Sequence, residues 1–437
     1  MITKTLAPSK CGVVHHALRL FGSNALSHLL FLATSPLLVR LYSGAQFGTF
    51  AVFNSYIGIV AGIVCLRYDA ALVGAASTGQ LIRLSALSVM CALASSLASS
   101  LILLGFIQAG TLSFAQLPHS AALLAGFYLF FFGISLVLRG TLLRAGDFGT
   151  LSRLTFFQAS CRSAVALVSG VAGIGWIGLG LGEIAGKVAG NGARPFEARL
   201  IGRLLTTPKR FRLIWKTAKQ FKVYPLAATL SQLIDAGSSG LPVILVATLF
   251  SPAEAGILFL LNRTVTAPIT VLAGCIADPL QKHLQDISAS APRELNEAFR
   301  THARKLFFFS TTGAFLTALL LTPTLQRIWG REYAEVGYLA NLALPAIWAA
   351  AIVAPLSRVL IILNRPQLKL LYDLTSLTLT CGCFYAAQRF GMGFHSTIML
   401  LSWLNLAAYV LYFSLCWHAI QSLKSVNTRS CVESQAS

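Results

Sequence analysis

Arg162, Glu183, Asp235 and Arg263 lie inside long apolar runs of this 437-residue chain. Only 11% of the residues are Asp, Glu, Lys or Arg, against 56% apolar, so a charge in such a place calls for a partner. If the runs cross a bilayer, each of these side chains is costly and marks either an ion pair or a solute pathway. A guanidinium offers its donors in a planar fork that captures phosphate or carboxylate through two bonds at once. Arg162 and Arg263 are therefore candidates for holding an anion. Asp235 is a candidate for pairing with Arg263 or Arg162, or for ion coupling. Glu183 precedes Lys187 at i+4, a favourable local pair, and is also the candidate to take up a coupling proton. Arg40 and Arg67, at the ends of runs, either guard the mouths of a pathway or snorkel to the interface.

Other chemistry is missing from the sequence. There is no Walker A segment, no His-Glu-x-x-His and no nucleophile elbow, so neither an enzyme nor a bound cofactor is expected. Of the nine cysteines, only Cys381 and Cys383 are closely spaced. With no second pair and no nearby His they read as small packing residues, and no metal site is expected. The histidines are scattered, and only His28 falls within the first apolar run.

The elements that must position these residues are spanning helices. In hydrocarbon every backbone polar group must be satisfied internally, so each run of about 18 or more apolar residues reads as a helix across the bilayer. About twelve such runs occur, near 18–40, 46–66, 84–107, 120–138, 151–172, 174–193, 223–250, 255–279, 306–326, 336–363, 368–388 and 394–418. Arg162 then lies ~17 Å into its span and Asp235 ~18 Å, both close to mid-membrane. Alternate gaps hold 28 of the 34 Lys and Arg, and the other gaps hold four. That asymmetry predicts a multi-pass protein with both termini in the cytosol. It also accounts for the net charge of +20 without nucleic acid, for which no domain-sized polar region exists.

The longest polar stretch, Arg194–Lys222, divides the runs into six and six. Its segment Lys209-Arg210-Phe211-Arg212-Leu213-Ile214-Trp215-Lys216 reads as a basic amphipathic helix on the anionic leaflet. The predicted organisation is a lobe over 1–193, a cytosolic linker over 194–222 and a lobe over 223–437. A repeat supports it. Leu41-Tyr42-Ser43-Gly44-Ala45-Gln46-Phe47-Gly48 matches Leu249-Phe250-Ser251-Pro252-Ala253-Glu254-Ala255-Gly256 at an offset of 208, where Asn54 also meets Asn262. With an even number of spans per half, these are parallel repeats. Within 223–250, Gly237-Ser238-Ser239-Gly240-Leu241-Pro242 predicts a kinked or broken helix, or close packing by small residues.

The chain resembles the polysaccharide-flippase branch of the multidrug/oligosaccharidyl-lipid/polysaccharide (MOP) transporter superfamily over essentially its whole length. The likeness lies in Ser35-Pro36-Leu37-Leu38-Val39-Arg40-Leu41-Tyr42-Ser43 with Phe47-Gly48, and in Leu66-Arg67-Tyr68-Asp69-Ala70-Ala71. It continues in Tyr224-Pro225-Leu226, Leu241-Pro242-Val243, Ala255-Gly256 and Asn262-Arg263. The resemblance implies two six-helix lobes around a central cavity in the bacterial inner membrane. It also implies a polyprenyl-diphosphate-linked oligosaccharide as substrate, with membrane lipids, a polysaccharide polymerase and a chain-length regulator as partners. Related exporters of cationic drugs carry an acid in the first span, whereas Leu18–Arg40 has no Asp or Glu. A drug exporter of the same fold remains the alternative. So does a glycan polymerase or ligase, although the outward gaps are short for one.

Overall fold

The computed structural model describes residues 26–27, 30, 33–191, 208–222, 225, 228–290, 295–329, 334–363 and 365–435. Every regular element among them is a helix. The chain forms two compact units, Met1–Ala236 and Gly237–Ser437.

In the first unit, α1 covers 33–41, followed by α2 (Gly44–Ala61), the short α3 (Tyr68–Ala71), α4 (Thr78–Gln108) and α5 (Ser120–Ala145). Next come α6 (Phe148–Val171), α7 (Trp176–Asn191) and α8 (Pro208–Gln220). Their ends are written in the sequence. Ser43 caps α2 and Gln46 reaches back to the Ser43 amide, a complete capping box. Ser77 and Asp147 cap α4 and α6 through Gln80 N and Thr150 N. Gly146, at φ 70°, ends α5 in the left-handed region that a side chain rarely enters. The interior is aliphatic and aromatic, with Phe53, Ile57, Leu84, Leu103 and Leu129 fully buried.

Helix α9 (Thr229–Leu249) leads into the second unit, and it runs unbroken through Pro242. It is followed by α10 (Pro252–Leu261), a π turn (Asn262–Thr266), α11 (Ala267–Ser290) and α12 (Leu295–Trp329). Then come α13 (Ala334–Leu356), α14 (Val359–Ile362), α15 (Pro366–Phe390) and α16 (Phe394–Gln435). Ser251 caps α10 as Ser43 caps α2, accepting from Glu254 N and bonding the Glu254 carboxylate at 2.7 Å. The sequence repeat is therefore a repeated helix start. Its aromatic position is used differently in the two copies: Tyr42 donates to Ala166 O at 2.6 Å, whereas Phe250 packs edge-on to Phe394. The core of this unit gathers Leu284, Phe299, Leu356, Val359, Cys416 and Ala419.

Each of the twelve expected spans is helical over most of its described part, with turns at 62–66 and at 357–358. Among the described residues, eight helices are long and apolar enough to cross a membrane by length and composition alone. The sixth expected span is helical over Trp176–Asn191, and its last two residues lie outside the described ones. His28 and residues 194–207 of the linker lie outside the described residues.

Candidate functional site

The closest helix pairing in the first unit is between α6 and α7, and glycine makes it. Gly178, Gly182, Gly186 and Gly190 recur every fourth residue along α7. A Cβ at Gly182 would stand 2.9 Å from the Arg162 carbonyl, and one at Gly186 would stand 2.8 Å from the Gln158 carbonyl. Bare glycine lets the two backbones touch. Glu183 sits between those two glycines and is therefore carried up to α6. Its Oε1 lies 3.6 Å from Arg162 Nη1, with the side chains 10% and 24% exposed respectively. This is an ion pair rather than a tight hydrogen bond. Lys187, one turn on, holds its Nζ 4.9 Å from the Phe132 ring centroid. Asn191 fastens the end of α7 to α5, donating to Phe131 O at 2.8 Å and accepting from Ser135 Oγ at 2.9 Å. The pair thus sets a titratable carboxylate beside a guanidinium that is a quarter exposed.

A second cluster surrounds Arg67. Leu66 and Arg67 both adopt positive φ, 47° and 59°, a strained conformation for residues with a side chain. Arg67 Nε is buried without a hydrogen-bond partner. Burial pushes the nearby Asp69 carboxyl above its ordinary range, while Arg67 pulls it back. Tyr68 OH donates to Ala218 O at 3.4 Å, which docks α8 on this turn. Ile214 and Thr217 of α8 are buried, while Trp215 is 61% exposed. Lys216 and Lys219 are exposed as well.

The remaining candidates are dispersed. Arg40 is exposed at the end of α1. It and Arg67 flank α2, an 18-residue helix about 27 Å long, so they do not share one site. Asp235 is exposed on α9 within the first unit. Arg263 lies in the π turn of the second unit, its guanidinium 6.0 Å from the Phe259 ring centroid. Such turns recur at functional positions, and nothing in the sequence marks this one. Lys369 and Asp373 form an i,i+4 pair at 2.7 Å. Cys381 and Cys383 are free thiols, and Cys383 bonds Thr397 O. Among the described residues no cluster of three His, Cys, Asp or Glu could hold a metal.

No protein-family model matches the chain, and no curated protein is significantly similar to it. Solved structures do match. The inward-facing conformation of a multidrug resistance MATE family transporter of the MOP superfamily superposes with a TM-score of 0.61 at 15% identity, covering 93% of this chain and 95% of that one. The outward-facing conformation of a MATE family transporter gives 0.57 at 16% identity, covering 94% and 96%. A MOP superfamily transporter from Pyrococcus furiosus Vc1, whose reversed binding-pocket polarity suggests a different function, gives 0.62 at 17%, covering 94% and 96%. At these identities the likeness establishes the fold. The chain has the helical fold of MOP superfamily transporters over nearly its whole length.

Proposed function

We propose that this chain is a secondary transporter of the bacterial inner membrane that flips a polyprenyl-diphosphate-linked oligosaccharide by alternating access. The observation that carries this reading is a first apolar run without a carboxylate, set beside guanidiniums deep in two later runs. The first run has no carboxylate, and guanidiniums occupy positions 162 and 263, one of them a quarter exposed beside its counter-ion. The physical task is to move a glycan and a diphosphate through ~30 Å of hydrocarbon while the polyprenyl tail stays in lipid. Arg162 and Arg263 would take the anion, and Arg40 and Arg67 would stand at the mouths. The motifs from Ser35 to Gly48 and from Leu66 to Ala71 support the same branch of the superfamily. Partners on this reading are the lipid-linked glycan, membrane lipids, a polymerase and a chain-length regulator.

The second reading is a cation-coupled drug exporter. It is favoured by Glu183, a buried carboxylate on a membrane helix, and by the fold shared with multidrug MATE transporters. Gene deletion separates the two. On the flippase reading a surface polysaccharide disappears and lipid-linked repeat units accumulate facing the cytosol. Normal polysaccharide together with new sensitivity to cationic drugs would favour the exporter. Repeat units that reach the outer face but stay unpolymerised would point to a polymerase.

A further inference from the structure

Three helices of the second unit bound an apolar groove with a cationic rim. Helix α12 contributes Phe307, α13 contributes Trp348 and Ile352, and α16 contributes Leu406, Val410 and Phe413. The α13 and α16 positions recur at three- and four-residue intervals, so each helix presents one stripe. The cavity measures about 360 Å³, within the size range of small-molecule sites. Phe307 stands edge-on to Trp348 at 5.5 Å. The Trp348 N–H is already satisfied by Thr311 Oγ1 at 3.1 Å, so it asks nothing polar of an occupant. Arg304 lines it as well. The groove adjoins a second cavity of about 380 Å³, lined by Arg300, Ser414 and Trp417, with Ala303 and Phe413 common to both. Arg300 rests its guanidinium 5.8 Å from the Trp417 ring centroid. Among the described residues no carboxylate lies within ion-pair distance of Arg300 or Arg304. Both arginines fall in the Lys/Arg-rich gap over 282–305, and Phe307 falls in the apolar run that follows. With the span beginning near 306, as the sequence predicts, the rim would lie at head-group level and the floor in hydrocarbon.

We propose that this groove is a loading site for the substrate lipid, with the diphosphate on Arg300 and Arg304 and the head-proximal isoprenoid units in the apolar channel. The inference rests on the flippase reading and extends it to where the lipid is first held. Charge decides the occupant. Two guanidiniums one helical turn apart, without an acid between them, match a diphosphate better than the single phosphodiester of a bulk phospholipid. The tail stays beside the protein in lipid while the head group travels.

The test is native mass spectrometry of the purified full-length protein, titrated with undecaprenyl diphosphate or with phosphatidylglycerol. The wild type should retain the diphosphate about tenfold more strongly, and an Arg300→Gln/Arg304→Gln double variant should lose about that factor. Both arginines are exposed, so this variant leaves the core alone. Ala303→Trp should block the channel and weaken diphosphate binding, while Arg300→Lys/Arg304→Lys should keep part of it. Equal retention of the two lipids by the wild type would overturn the proposal in favour of an ordinary lipid annulus. Unchanged binding in the double Gln variant would overturn it as well. If binding behaves as expected while a deletion strain still exports its polysaccharide, the groove stands and the flippase reading falls. The converse result removes only the groove.

Discussion

At the scale of single residues, the ion pair between Arg162 and Glu183 decides what each can do. A buried pair is weak evidence of stability, but removing one member deprives the other of an opposite charge. With 3.6 Å between the charges and a quarter of Arg162 exposed, the cost of either single Ala substitution should be about 2–3 kcal/mol, below the value for fully buried pairs. Arg162→Ala and Glu183→Ala should each lower the abundance and thermal stability of the purified protein. The double variant should recover part of that loss, to the extent that the two charges act on each other. Transport should stay lost in the double variant if Arg162 meets the anion. A double variant that is both abundant and fully active would remove the pair from the pathway. The sequence showed that both charges needed partners, and it showed that no acid lies within one turn of Arg162 on its own helix. It could not show that Glu183 is the partner, because that depends on the rotation of two helices about their axes. An i+4 neighbour such as Lys187 is visible in a chain of letters, whereas a partner 21 positions away is not.

At the scale of elements, helix starts were legible and helix faces were only half so. The repeated Leu-aromatic-Ser motif stands out because a cap needs particular side chains at fixed spacing: Ser43 with Gln46, and Ser251 with Glu254. The glycines at 178, 182, 186 and 190 are equally regular in the sequence. Their meaning depends on α6 lying against them, as the Cβ distances at Gly182 and Gly186 show. A Gly182→Ala variant should therefore be destabilised by about 1–3 kcal/mol, since the added methyl meets backbone rather than a side chain that can turn aside. Gly105, on α4, is the control. Nothing lies within 4 Å of a Cβ placed there, and Gly105→Ala should be neutral or stabilising by up to about 1 kcal/mol through helix propensity. Thermal unfolding in detergent reads both. Equal melting temperatures for the two variants would mean that the close approach of α6 and α7 carries no stability. The Gly237–Pro242 segment teaches the opposite lesson. Its composition suggests a kink or a break, or close packing by small residues; the helix does not break, and α9 continues through Pro242, because in hydrocarbon an unbroken helix is the cheapest way to satisfy the backbone.

At the scale of the whole molecule, the twelve runs were legible because twenty apolar residues in succession have few other fates. The π turn at Arg263 and the groove beneath Arg304 were not, since both depend on how several helices pack. An expected orientation follows from charge alone. Retaining Lys and Arg on the cytosolic side makes the split of 28 to four a directional prediction. On it the turn after α4 should lie outside and the basic helix α8 inside. Ala109, the C-cap of α4, and Gln220, at the end of α8, are both exposed, so a cysteine at either is open to a reagent without disturbing the interior. In a background lacking the nine native cysteines, Ala109→Cys should react with a membrane-impermeant maleimide in intact cells. Gln220→Cys should react only after the membrane is opened. The reverse pattern would invert the protein and move Arg67, Arg300 and Arg304 to the outer face. The lipid-loading groove would then face the wrong leaflet for a substrate built in the cytosol. Labelling therefore tests the direction of transport before any substrate is supplied.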